Sequence, residues 1–94
     1  MNWMNEGGFE VEIPVVSKLS GTHPSDLLES YIAAHKAIEE AIKALSAVWP
    51  HGRDYQGGDI RKAMHEHGER CKSLRQVSAE LSTIAEGILT QLPS

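Results

Sequence analysis

Leu28, Tyr31, His35, Ile38, Ile42, Leu45 and Trp49 recur at steps of three and four residues, with mostly Glu, Lys, Ser and Ala between them. Such steps keep one seam on a single face of an α-helix, because a turn closes every ~3.6 residues. The spacing predicts a first helix that starts near Pro24, whose fixed φ suits an opening turn, with Thr22, Ser25 and Asp26 as candidate caps. It should end near Val48, since Pro50 cannot continue it. A second series, Ile60, Met64, His67, Cys71, Leu74, Ser78, Leu81, Ala85 and Ile88, is widened by Val77, Ile84 and Leu89. It predicts a helix from an Asp59 N-cap to Leu89. Gly68 and Gly87 lie inside it, each at a cost of about 1 kcal/mol relative to alanine. Gly68 is read as a point of close backbone approach, Gly87 as a fraying end.

Before the helices the period changes. Phe9, Val11 and Ile13 alternate with Glu10 and Glu12, which predicts a short half-buried strand stopped by Pro14. One strand has no partner in this chain, so it pairs across a subunit interface, lies along a helix, or waits for another protein's sheet edge. Residues 1 to 8, MNWMNEGG, read as a loose arm that Trp3 could anchor. The expected fold is all-α: a long antiparallel helical hairpin over residues 25–94, preceded by an arm over residues 1–24 with a short extended or β segment. Leu27, Ala34, Ala41 and Val48 form a second stripe at sevenfold spacing on the first helix. A hairpin has only one internal seam, so this stripe predicts assembly into a dimeric or higher helical bundle.

Composition narrows the functional classes. The apolar runs are too short for a membrane span or a secretory core, and the lone Cys71 fits a reducing compartment, so a soluble cytoplasmic protein is expected. Thirteen acidic against nine basic residues give a net charge of −4, which argues against general nucleic-acid binding. The balance reverses locally: Arg61, Lys62, Arg70, Lys72 and Arg75 face only Glu66 and Glu69 between residues 60 and 75. An anion would be drawn to that stretch.

The richest chemistry sits between the helices, in PHGRDYQGG from Pro50 to Gly58. Arg53 suits bidentate recognition of phosphate or carboxylate, Tyr55 offers a stacking face, and His51, Asp54 and Gln56 supply polar specificity. Arg61 and His65, at the start of the second helix, extend this set toward a helix N-terminus. The candidate ligand-binding residues are therefore His51, Arg53, Asp54, Tyr55, Gln56, Arg61 and His65; turn closure and a solvated helix face are the plainer alternatives. His35 with Glu39 and His67 with Cys71 have the four-residue spacing of metal ligands. No further signature joins them, so seam packing is preferred and no metal or cofactor is expected. No nucleophile elbow, phosphate-cradling glycine loop or spaced carboxylate pair is present, so an enzyme is not expected.

Pro50-His51-Gly52-Arg53-Asp54-Tyr55-Gln56, flanked by an Ala-rich helix and by Ala63-Met64-x-Glu66-His67 and Leu74-x-x-Val77-x-x-Glu80-Leu81-x-x-Ile84-Ala85, carries a resemblance. Over about residues 26 to 90 the chain resembles a group of short phage and prophage helical-hairpin proteins with a "PHxRDYY"-type loop between the helices. It has Gln56 where many of that group have a second tyrosine. The resemblance implies a phage-type protein in the host cytoplasm and, by analogy alone, a role against host defence. Two functions are thereby expected. One is sequestration of a small anionic, nucleotide-like ligand at the loop by a homo-oligomer. The other is inhibition or adaptation of a host protein through the surface and the N-terminal strand.

Overall fold

The computed structural model describes residues 11–16 and 23–92. Two α-helices, α1 (Pro24–Ser46) and α2 (Ile60–Leu89), pack against each other, with a single 3₁₀ turn, Gly52–Tyr55, between them. Both helices begin as the pattern predicts. Pro24 opens α1, but the cap is His23: its Nδ1 accepts from the Ser25 amide at 3.3 Å and meets the Ser25 hydroxyl at 2.9 Å. Thr22 lies outside the described residues. Asp59 caps α2, its carboxylate accepting from the Lys62 amide at 3.1 Å. At its other end α1 stops two residues short of Val48. The Ala47 and Val48 amides close tight turns onto Ala44 and Leu45, so the chain can enter the extended geometry that Pro50 demands of Trp49.

The seam is the expected one at its centre and narrower at its margins. Leu28, Tyr31, His35, Ile38, Ile42 and Leu45 of α1 are half-buried, and His67, Cys71, Ser78 and Ile88 of α2 are buried. Met64, Val77 and Leu89, expected on the stripe of α2, are exposed, as is Trp49 at the end of the α1 series. A helix touching a single neighbour can cover only about a third of its circumference, which leaves Val77 outside that arc, whereas Met64 lies on the opening turns of α2 and Trp49 lies past the end of α1. Ile88 is fully buried, so its truncation to alanine costs about 2–5 kcal/mol.

The register differs from the simplest hairpin. Glu39 meets Ser78 and Trp49 meets His67, so facing positions add to 117 or 116 and the chain folds about residue 58 instead of residue 54. Ser46, the last residue of α1, thus falls opposite Cys71. The first three turns of α2 reach past α1 and are flanked by the linker instead.

No β-strand forms among the described residues, so the N-terminal strand is not seen; Phe9 and Glu10 lie outside them. Residues 11–16 run along the C-terminal end of α2, one of the three arrangements open to a lone strand. Gly87 makes this possible. A Cβ there would stand 2.5 Å from Ile13 Cγ2, so the glycine is a docking surface for Ile13 and not a fraying end. Gly68 is the converse: nothing lies within 4 Å of a Cβ at that position, and no backbone approaches it among the described residues. Trp3 and the rest of the arm lie outside the described residues. Among the described residues no helix is long and apolar enough to cross a membrane.

Candidate functional site

The linker is built from two consecutive tight turns. His51 is extended (φ −118°, ψ 137°), and its carbonyl accepts from the Asp54 amide at 2.9 Å, closing the 3₁₀ turn. The Tyr55 carbonyl then accepts from the Gly58 amide, also at 2.9 Å. With Gln56 at φ −62°, ψ 124° and Gly57 at φ 78°, residues 55 to 58 form a type II turn, which needs a left-handed residue at its third position. Gly57 supplies it. Asp59 follows as the cap of α2, so the linker is fixed at short intervals by its own backbone.

This scaffold holds its side chains outward. His51, Arg53, Asp54, Tyr55 and Gln56 are all exposed, as are Arg61 and His65 on the opening turns of α2. The register brings the seven to one end of the molecule, because the linker runs beside the part of α2 that passes α1. Among the described residues no side-chain hydrogen bond or ion pair joins any of them, so Asp54 does not orient Arg53. The α2 N-terminus is also less open to an anion than helix polarity alone suggests. The Asp59 carboxylate already occupies one of its free amides and places a negative charge there.

The histidines and Cys71 separate rather than converge. His67 is buried, with Trp49 edge-on to it at 4.8 Å between ring centroids and 83° between planes. Among the described residues its Nε2 has no hydrogen-bond partner. Cys71, one turn on, is a buried free thiol. His35 lines a groove of about 270 Å³ with Leu28, Ile32, Ser82, Ala85, Glu86 and Leu89 at the opposite end of the hairpin. In the observed register His35 faces Ser82, about 22 Å along α2 from His67 at ~1.5 Å per residue. Glu39 is engaged elsewhere, its carboxylate accepting the hydroxyl proton of the buried Ser78. Among the described residues no three His, Cys, Asp or Glu side chains gather as metal ligands would.

Gln91 was not among the candidates, yet it organises the other end of the chain. Its carboxamide binds the Pro14 carbonyl at 2.8 Å, the Val16 amide at 3.1 Å and the Gly87 carbonyl at 3.0 Å. A polar residue just past the last apolar position carries no periodic signal, so spacing could not single it out. Compared with known proteins, the chain matches no family model, no curated protein and no solved structure.

Proposed function

We propose that the chain is a non-catalytic binding protein that recognises a protein target with the loop end of its hairpin, in the manner of an inhibitor or adaptor. The observation that carries this reading is the linker. Arg53 and Tyr55, the residue types that most often dominate interface energetics, stand exposed without side-chain partners among the described residues, on a backbone held by successive turns. A rigid, outward-facing display suits a complementary surface better than a small molecule, which needs walls on several sides.

Capture of a nucleotide-like anion is the second reading. Arg53, Arg61, Lys62 and His65 favour it by lying at one end of the hairpin, and a neighbouring chain would have to close the pocket. Self-association through Leu27, Ala34 and Ala41 of α1, with Val48 just past its end, would supply such a neighbour. The pair of helices presents a face of roughly 35 by 20 Å, or ~700 Å², close to the ~800 Å² per partner of a stable interface. Ala41→Glu should break that association.

Arg53→Ala and Tyr55→Ala, singly and together, test the first reading. Photo-crosslinking from position 52, which has open space around it, should trap one protein in cells, and either substitution should abolish the adduct with helicity unchanged. Full retention of the adduct in the double variant would reject the loop as the interface. Titration calorimetry against di- and trinucleotides examines the second reading, which predicts binding lost on Arg53→Ala.

A further inference from the structure

His67 and Cys71 stand one turn apart on α2 at 4% and 2% exposure, and among the described residues the His67 Nε2 has no hydrogen-bond partner. Buried polar atoms are nearly always paired, so an orphaned one marks either a cost the fold carries or a ligand it is shaped to take. Cys71 points to the ligand. Residues four apart on a helix bring their Cβ atoms to about 5–6 Å, close enough for an imidazole and a thiol to grip one ion, as two histidines at that spacing do in helical metal sites. Met64, three residues before His67 and seven before Cys71, continues the same face with a thioether on a flexible stem.

The donor set selects the ion. Thiolate and thioether are soft ligands that favour copper(I) over hard cations, and imidazole is compatible with it. Among the described residues no third His, Cys, Asp or Glu joins the pair, so the four-ligand shell of a structural zinc is not met. Charge points the same way. One thiolate with a neutral imidazole and a neutral thioether cancels a monovalent ion, but would leave a divalent ion with an unbalanced positive charge in a buried place.

We propose that Met64, His67 and Cys71 form a three-coordinate site for a soft monovalent cation, copper(I). The ion bonds to the Cys71 Sγ, the His67 Nε2 and the Met64 Sδ. Cys71 releases its thiol proton to water, His67 keeps its single proton on Nδ1, and no electron is transferred. Trp49 is the cover: it meets His67 edge-on at 4.8 Å between ring centroids, yet is itself exposed. Because α1 has ended at Ser46, opposite Cys71, an ion enters by displacing this indole and the two helices need not part.

The test is anaerobic titration of the full chain with copper(I) held by the competing chelator bicinchoninate, followed by native mass spectrometry. A Trp3→Phe background leaves Trp49 as the one indole. The expected result is one ion per chain, release of one proton, and quenching of Trp49 emission that ends at one equivalent. Cys71→Ser and His67→Leu should each weaken binding by about 100-fold or more and Met64→Leu by about tenfold, since even groups that only position a metal ligand are worth ~10–100-fold. Circular dichroism and denaturant midpoints of the ion-free variants separate a lost ligand from a lost fold, and His67→Leu is the variant that removes a ligand and an orphaned nitrogen together. Binding that survives His67→Leu in a folded chain belongs to the thiol alone and overturns the proposal. So does no bound copper(I), affinity unchanged in Met64→Leu, one ion shared by two chains, or zinc(II) held as tightly as copper(I).

Discussion

Ile13 occupies the space in which a side chain at Gly87 would have to stand, since a Cβ built there lies 2.5, 3.1 and 3.2 Å from three of its side-chain carbons. The two glycines of α2 therefore respond oppositely to alanine. Gly68→Ala meets nothing within 4 Å and should stabilise the chain by up to about 1 kcal/mol, the helix-propensity difference. Gly87→Ala gains the same propensity but must expel Ile13, so its net effect is zero or negative and residues 11–16 come away from the helix. Urea unfolding separates the signs, and faster proteolysis within residues 11–16 reports the displacement.

Ser78 and Glu39 place a polar bond in the middle of an apolar seam. Removing only the carboxylate leaves a buried hydroxyl without that partner, so Glu39→Ala should cost about 1–2 kcal/mol. Ser78→Ala removes donor and hydroxyl together and should cost less. The double variant should be clearly less destabilised than the sum, which a cycle of denaturant midpoints measures.

The type II turn makes the linker glycines unequal. Gly57→Ala forces a side chain into φ 78° and should destabilise by about 1 kcal/mol or slightly more, whereas Gly52→Ala, at ordinary φ with open space around it, should be neutral. Thermal melts of the two variants decide it. Because Gly57 sets the direction in which Tyr55 and Gln56 leave the turn, Gly57→Ala should also weaken the binding proposed for the loop.

His67 buries an imidazole nitrogen that has no partner among the described residues. An apolar residue of similar size removes that cost, so His67→Leu should be neutral or stabilising by about 1 kcal/mol, provided Trp49 can repack against it. Trp49→Ala should destabilise by about 1–3 kcal/mol, since it uncovers the same imidazole and deletes the aromatic contact. A destabilised His67→Leu would mean that the nitrogen has a use in the folded protein.

The two helices were legible because their signals are local: Pro24 opens one, Asp59 caps the other, and 3-4 spacing marks the seam residue by residue. The register was not. It depends on how far the linker travels, and the turns at Gly52–Tyr55 and Tyr55–Gly58 arise from backbone bonds that residue type only hints at. Alternation marked residues 9 to 13 as strand-like, but period two cannot distinguish a partner strand from a helix with a glycine notch and a glutamine beside it. The loop chemistry was visible as composition, and its exposed display followed only from the fold.

The offset register also divides α2 into unequal halves. Beyond Cys71 the helix has α1 along its length, but from Ile60 to Arg70 its cover is the linker, through Trp49. Local opening should accordingly be graded, with the linker and the first three turns of α2 detaching as one low-energy unit while the Glu39–Ser78 region stays closed until global unfolding. Any target that grips Arg53 and Tyr55 would then hold the element that opens first, so occupancy at the tip would set how often the whole chain is exposed to proteases.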